Sequence, residues 1–248
     1  MNKIQIRWPW SIEAHERIDG PAVILDVNAA STNIAAILGS ADEFYVTNRD
    51  GLHTVLEKMP DAILVGESKD PEIAKKFQVS NNASHIDQAV RDGIFTGRRI
   101  VLLTTNGTYV LCRLIEHGAT PVLSVSYVNL FTVSSWLASN GYDSGIMLVP
   151  AGGQEIEFEN DRELVEDKIC AEALAAVLRG EQMNREVFFA ASRAGIDRQY
   201  VKYEGLWPTK QADLDLIFSP RDRYPVVPLC RKTTDGLIRV IDALTTKQ

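Results

Sequence analysis

Short, mainly apolar runs alternate with helical patterns along most of this chain. The runs are rich in Val, Ile and Leu and are bounded by Gly, Asn, Pro or a charge, which is typical of β-strands. Because apolar residues follow one another without polar alternation, both faces of the predicted sheet are expected to be covered. The predicted strands are residues 22–27, 43–46, 62–65, 99–104, 121–125 and 145–150.

Helical periodicity fills the segments between these runs. The alternation of strand and helix predicts a layered α/β sandwich with a mainly parallel sheet. Two extra strands are expected near the C-terminus, at residues 213–218 and 226–229, joined by a polar turn. Since no linker or repeat interrupts the pattern, we expect one domain over residues 1–248, with its core in 20–230. The predicted helices are residues 31–39, 51–58, 86–94, 109–117, 130–139, 164–178 and 184–194.

The charge and the cysteine content of the chain limit which partners and which cellular location we expect. The chain has 248 residues, with 26 basic and 33 acidic ones and a net charge of −7. This balance argues against nucleic-acid binding, which requires a basic surface. The first residues contain no apolar segment typical of a signal peptide, and no apolar run approaches the roughly 18 residues of a membrane span, so we expect neither feature. Cys112, Cys170 and Cys230 are widely spaced and form no CxxC pair, which predicts reduced thiols and a cytoplasmic location.

Polar residues follow five of the predicted strands. Ligands of open α/β sheets bind beyond the carboxyl ends of the strands, so we expect these five strands to end at one common edge and a functional site to lie there. Four carboxylates could meet there, and carboxylate oxygens with retained water suit Mg²⁺. Each also has a structural interpretation, as a helix cap, a turn residue or part of a solvated helix face. The carboxylates are Asp26, Glu67, Glu166 and Asp167.

The segment TTNGT, residues 104–108, opens a predicted helix directly after a strand. Free backbone N–H groups at a helix start, together with hydroxyls and Gly107, favour a phosphate cradle. The alternative is structural, with Thr104 and Thr105 capping the helix and Gly107 easing the turn. Neither interpretation is decided by this segment alone.

The order and rough spacing of these motifs resemble the 2-phosphosulfolactate phosphatase family over residues 20 to about 230. The resemblance implies a Mg²⁺-dependent phosphatase that acts on a small phosphorylated acid, with carboxylate metal ligands and polar phosphate contacts. The segments that carry it are residues 26–32 (DVNAAST), 66–67 (GE), 77–82 (FQVSNN), 103–108 (LTTNGT), 126–129 (SYVN), 166–171 (EDKICA) and 213–229.

We assign roles to the matching residues by type and position. The metal-ligand candidates are Asp26, Glu67 and Asp167, and the catalytic candidates are Glu166 and Asp167. The substrate-binding candidates are Asn81, Thr105, Asn106, Gly107 and Asn129. In the family an arginine stands where this chain has Ala29, so a charge-assisted contact to an anion is missing. The metal-binding half of the predicted site is therefore kept better than the anion-reading half.

Two other functions stay open. An aspartyl-phosphate phosphatase also ends a strand in an aspartate such as Asp26, but its general acid is replaced here by Asn28. A divergent family member that binds a small anionic metabolite or a partner protein without turnover is the other alternative, and Ala29 motivates it. A homodimer is compatible with the sequence, which does not decide the oligomeric state.

Overall fold

The computed structural model describes residues 3–68, 70–142, 145–153, 163–200 and 207–245. Within these residues ten strands form one sheet. In chain order they are β1 (Ile4–Ile6), β2 (Ala22–Leu25), β3 (Glu43–Val46), β4 (Ile63–Gly66), β5 (Val79–Ser80), β6 (Arg99–Leu103), β7 (Val122–Val125), β8 (Ile146–Pro150), β9 (Pro228–Lys232) and β10 (Ile238–Asp242).

Helices connect most of these strands. None of the described helices is both long and apolar enough to cross a membrane. They are α1 (Ala30–Leu38), α2 (Leu52–Lys58), α3 (Pro71–Ala74), α4 (Ala83–Arg91), α5 (Gly107–Glu116), α6 (Leu130–Asn140), α7 (Val165–Leu178), α8 (Arg185–Tyr200) and α9 (Lys210–Ile217), with a short 3₁₀ helix at Pro9–Ser11.

The sheet consists of two parallel groups joined by an antiparallel hairpin. Its strand order is β1-β8-β2-β7-β9-β10-β3-β6-β4-β5. The strands β1, β8, β2 and β7 are parallel to one another, as are β3, β6, β4 and β5. The hairpin of β9 and β10 pairs antiparallel with β7 on one side and with β3 on the other. The predicted α/β class, mainly parallel sheet and C-terminal antiparallel pair are confirmed.

The C-terminal pair consists of other residues than predicted. Residues 213–217 belong to helix α9, with Phe218 as its C-cap, and form no strand, because Asp213, Leu214 and Ile217 are buried together at helical spacing. The alternation of Asp and Leu in this segment imitates a strand period. The predicted strand at 226–229 begins at Pro228, and its partner is β10, which extends the sheet beyond residue 230.

The two parallel groups run in opposite directions, since three antiparallel pairings separate them. The expectation that five strands end at one common edge is therefore wrong. Their ends nevertheless meet. Asp26 after β2 contacts Gly107 after β6, although these strands are five places apart in the sheet. A flat sheet would separate them by roughly 24 Å, so strong twist and coiling must bring the two groups together.

Two helical layers bury the faces of this sheet. One apolar cluster joins the sheet to α1, α4 and α5 and contains Ile24 of β2. Val23 and Leu25 face the opposite layer with α6 and α7, while α2 covers the other strand group on a third cluster. Successive residues of β2 thus contact different layers, as the continuous apolar runs predict. The three cysteines are buried and unpaired.

Gly66 lets β4 approach β6 and directs the chain toward the strand ends. Its φ is +143°, and a Cβ built on it would lie 1.8 Å from the carbonyl oxygen of Leu103. The same oxygen accepts the backbone N–H of Glu67 at 3.1 Å. Gly66 is therefore required by both its conformation and the close approach, and it determines where Glu67 emerges.

We expect Gly66→Ala to lower the free energy of unfolding by about 2–6 kcal/mol, through backbone strain and steric overlap. Gly39→Ala is the matched control, because Gly39 has a φ of −85° and no atom within 4 Å of its built Cβ. Urea denaturation of both variants measures the difference. Equal stability of the two variants would contradict the described approach of β4 to β6.

Candidate active site

Asp26 lies where the first turns of two helices meet. It directly follows β2 and is only 6% exposed. Its Oδ1 accepts the backbone N–H groups of Ala29, at 2.5 Å, and Ala30, at 3.2 Å, at the start of α1. The backbone N–H of Gly107, at the start of α5, also donates to this carboxylate. The positive ends of both helix dipoles thus surround a buried negative charge.

Gly107 makes this arrangement possible by its lack of a side chain. A Cβ at this position would lie 2.3 Å from Asp26 Oδ2 and 2.4 Å from the Cβ of Ala30. Neither neighbour can move freely, because the carboxylate is tied to α1 and Ala30 is buried in it. The glycine of the TTNGT segment therefore serves the packing of α5 on Asp26.

Asp167, in the first turn of α7, ties that helix to the ends of two strands. Its Oδ1 accepts the backbone N–H of Val27 at 2.8 Å, and its Oδ2 accepts that of Gly152 at 3.1 Å. The residue is 1% exposed. Since both oxygens already accept hydrogen bonds, Asp167 has a clear structural role beside its predicted roles as metal ligand and catalytic residue.

Glu166 is the neighbour of Asp167 and has no comparable partners. It is 0% exposed, and neither of its carboxyl oxygens accepts a hydrogen bond from another described residue. Burying a carboxylate without a partner is costly, so such a group is expected to hold a proton or to face a ligand. The described residues alone do not account for this side chain.

Asp26, Glu166 and Asp167, called here the acidic cluster, all have a raised pKa, and burial is the largest cause for each. Burial, together with the nearby charge of Glu67, raises the pKa of Asp26 to about 6. Burial and then the charge of Asp26 raise the pKa of Glu166 to about 7. The pKa of Asp167 lies well above its ordinary value, mainly through burial and then through the charges of Asp26 and Glu166. A cation placed among these groups would stabilise their charged forms and so lower these pKa values.

Glu67 lies at the rim of the acidic cluster and not inside it. Its residue is exposed, yet its charge acts on the pKa of Asp26. The structure thus brings all four predicted carboxylates into one region, three buried and one at the surface. This gathering of charge follows from the twist of the sheet, since Glu67 belongs to the strand group opposite to that of Asp26.

The carboxylates of this region can be compared with the ligands that Mg²⁺ prefers. Within the described ranges no group of three His, Cys, Asp or Glu residues is placed to hold one ion. Mg²⁺ is commonly held by one or two carboxylates, with water and a substrate phosphate in its remaining positions. Asp26 and Glu67 fit this smaller set, because they are hard oxygen donors whose mutual repulsion a cation would relieve. The ligand roles of Asp26, Glu67 and Asp167 stay predictions.

The three threonines of the TTNGT segment differ in role: Thr104 and Thr108 stabilise the helix start, whereas Thr105 stays a candidate substrate contact. Thr104 and Thr108 are both buried, and the backbone N–H of each donates to the hydroxyl of the other, at 2.9 and 3.1 Å. This reciprocal pair holds the start of α5, as the capping alternative predicts for Thr104. Thr105 and Asn106 are partly exposed between them, and the Asn106 side chain makes no capping hydrogen bond to the helix. Their roles as substrate contacts stay predictions.

The two remaining binding candidates differ in their contacts. Asn129 is fully buried; its Oδ1 accepts the N–H of Ser126 at 3.0 Å, and its Nδ2 donates to the carbonyl of Ser124 at 3.1 Å. These bonds hold the turn between β7 and α6. Asn81 is 8% exposed and accepts a hydrogen bond from Asn33 of α1. Sequence reasoning missed Asn33, although a fully buried amide in the apolar helix ASTNIAAIL is a visible signal.

The fold and the site define an α/β protein with a buried acidic cluster at the joined ends of two oppositely directed strand groups. Residues 7–201 match the family model described as 2-phosphosulpholactate phosphatase. The chain therefore belongs to the 2-phosphosulfolactate phosphatase family, which confirms the resemblance found in its motifs.

Curated relatives cover part of the chain at modest identity. A 2-phosphosulfolactate phosphatase of Methanocaldococcus jannaschii is 34% identical over 93 residues, or 36% of this chain and 38% of the relative. A "probable 2-phosphosulfolactate phosphatase" of Thermotoga maritima is 27% identical over 158 residues, or 64% and 62%. One of Prochlorococcus marinus, with the same name, is 29% identical over 168 residues, or 66% and 63%. The chain thus spans less than two thirds of the length of each of these relatives.

The buried carboxyl of Glu166 predicts a gain in stability when its charge is removed. Its pKa is about 7 in the folded protein, against an ordinary 4.5. The contribution of the Glu166 carboxyl to the free energy of unfolding is therefore fully present below pH 4.5 and is lost as the pH rises through 7. We expect Glu166→Gln to raise the free energy of unfolding by about 1–3 kcal/mol at pH 8 and by less than about 1 kcal/mol at pH 5.

Urea denaturation in the presence of EDTA at both pH values measures this effect. Glu172→Gln is the control, because Glu172 is exposed on the same helix. It should shift stability equally at the two pH values. A Glu166→Gln protein with the same pH dependence as wild type would show that Glu166 is not a buried, uncompensated carboxyl.

Proposed function

We propose that this protein is a Mg²⁺-dependent phosphatase that hydrolyses a small phosphorylated hydroxy acid. One observation carries the proposal: the buried carboxyl of Glu166 has no partner among the described residues and lies in electrostatic contact with Asp26, at the start of two helices. Membership of the 2-phosphosulfolactate phosphatase family supports the reaction class.

The contacts of Asp26 determine how a phosphate can be held. The carboxylate of Asp26 already accepts hydrogen bonds from the backbone N–H groups of Ala29, Ala30 and Gly107. These N–H groups at the two helix starts are therefore not free to bind an anion. A phosphate is therefore bound largely through a cation and through side-chain donors, for which the partly exposed Thr105 and Asn106 are candidates. Mg²⁺ bound at Asp26 and Glu67 would neutralise the charge of the phosphoryl group.

Glu166 is suited to accept a proton from the attacking water. A general base works best when its pKa lies near the working pH, and burial raises the pKa of Glu166 to about 7. Neither of its carboxyl oxygens accepts a hydrogen bond from another described residue, whereas the oxygens of Asp167 accept the backbone N–H groups of Val27 and Gly152. In this assignment Asp167 positions α7 and thereby Glu166.

A second function is favoured by Ala29. This residue is partly exposed beside Asp26, at the position where the family motif has an arginine. An alanine offers no cation to a second acidic group of the substrate, so the protein would bind a small anionic metabolite weakly or without turnover. The two functions differ in one measurable respect, the release of phosphate.

We expect phosphate release from a panel of phosphorylated hydroxy acids in Mg²⁺, and none in EDTA. Asp26→Asn should lower the rate by at least about 100-fold, since the cation loses its buried ligand. Because of Ala29, we expect 2-phosphosulfolactate to bind about one to two decades more weakly than to an arginine-bearing relative, given roughly 1.5–3 kcal/mol for a charge-assisted contact.

Asp42→Asn is the matched control, because Asp42 is exposed just before β3, at the opposite end of that strand from the site. It should keep the full rate. Phosphate binding with no turnover of any member of the panel would favour the second function. Equal rates in Mg²⁺ and EDTA, or an active Asp26→Asn protein, would contradict the proposed phosphatase.

A further inference from the structure

We propose that Asn33 is a positioning residue that orients the side-chain amide of Asn81, so that Asn81 presents its N–H₂ group and not its oxygen to an anion in the active site. The proposal rests on the proposed function, since it treats Asn81 as an anion contact. It assigns to α1 a role that the motifs of the sequence do not reveal.

The two asparagines lie between the elements that form the site. Asn33 is one turn further along α1 than Ala29, and its backbone N–H donates to the Ala29 carbonyl at 3.0 Å. Asn81 directly follows β5, and Ser80 of that strand pairs in parallel with Gly66 of β4. Asn81 therefore emerges beside Glu67, the residue whose charge acts on Asp26.

The hydrogen bonds fix which way each amide is turned. Asn33 Nδ2 lies 2.8 Å from the backbone oxygen of Asn81 and 2.8 Å from its Oδ1. A backbone carbonyl can only accept, so the atom of Asn33 that faces it must be the amide nitrogen. That nitrogen has a second N–H, which requires an acceptor on the Asn81 side chain. The Oδ1 of Asn81 is thus turned toward Asn33.

The Nδ2 of Asn81 is consequently turned away from Asn33. No described residue accepts a hydrogen bond from it, and it is absent from the fully buried atoms that lack a partner, so solvent reaches it. Its two N–H donors are available to an anion. With an alanine at position 29, neutral donors of this kind must carry more of the anion contact.

The burial of Asn33 supports positioning over simple packing. The residue is 0% exposed, and its own Oδ1 has no hydrogen-bond partner among the described residues. An apolar residue would avoid this desolvation of an unpaired oxygen. The packing of α1 does not require a polar residue at this position. The orientation of the Asn81 amide does require one, and this explains why an unpaired oxygen is buried here.

Asn33→Asp tests the proposal with almost no change in side-chain shape. The introduced carboxylate would place an acceptor against Asn81 Oδ1, so the Asn81 amide would turn over and offer its oxygen to the anion. We expect the Kd for inorganic phosphate in Mg²⁺, measured by calorimetry, to rise about tenfold or more. The KM for a phosphorylated substrate should rise similarly, with kcat within about twofold. Asn33→Ala removes the hydrogen bond that holds the Asn81 amide but does not turn this amide over. We therefore expect the Kd of this variant for inorganic phosphate to rise about threefold.

Asn184→Asp is the matched control, since Asn184 is exposed and its side chain accepts the Val187 N–H at the start of α8, where aspartate caps equally well. It should keep the wild-type Kd and KM. If both Asn33 variants keep the wild-type Kd and KM while melting earlier, Asn33 is only structural and the proposal is overturned. If Asn33→Asp does not fold, the Kd and KM of Asn33→Ala alone test the proposal, and wild-type values of both would overturn it.

Asn81→Ala separates this proposal from the proposed function. If it keeps the wild-type Kd for phosphate, Asn81 is no anion contact and the positioning role fails, while Mg²⁺-dependent phosphate release by the wild type would still uphold the phosphatase. If no phosphate is released by any variant but Asn33→Asp and Asn81→Ala both weaken phosphate binding, the positioning role is supported and the phosphatase is not.

Discussion

The approach of α5 to Asp26 connects the two strand groups on which the rest of the structure depends. Asp26 directly follows β2 of one group, and the backbone N–H of Gly107, which follows β6 of the other group, donates to it. Only a glycine can occupy this position, because a Cβ would overlap the Asp26 carboxylate. The carboxylate in turn accepts the first N–H groups of α1. One buried charge thus organises two helix starts and joins the two oppositely directed strand groups of the sheet.

The electrostatics of the acidic cluster follow from this packing. Burial of the three carboxyls raises the pKa of each, and nearby charges add to it: that of Glu67 at Asp26, that of Asp26 at Glu166, and those of Asp26 and Glu166 at Asp167. Asp26 and Asp167 are compensated in part by backbone N–H groups, whereas Glu166 has no described partner. An arrangement of this kind is less stable at neutral pH than an uncharged core would be. Such a cost is typical of sites that bind a cation or move a proton.

Much of this could be predicted from the sequence, since continuous apolar runs indicate covered strands and the motifs lie at their ends. The predicted common edge was wrong because strand direction depends on the β9–β10 hairpin, and its second strand is a short segment, IRVID, without a strong pattern. Capping by Thr104 was part of one of the two predicted alternatives, whereas its partner Thr108 was not predicted. Asn33 was missed because its effect depends on a contact with Asn81, 48 residues away, which local periodicity cannot reveal.

A crystal structure with Mg²⁺ and vanadate, a mimic of transferred phosphate, tests the central claim most directly. The account predicts a cation at about 2.0–2.1 Å from a carboxylate oxygen of Asp26, bridging to the anion, with Glu166 facing the position of the attacking water. The amide nitrogen of Asn81 should face the anion. A cation and anion bound away from Asp26, or an anion held by the N–H groups that Asp26 now occupies, would contradict it.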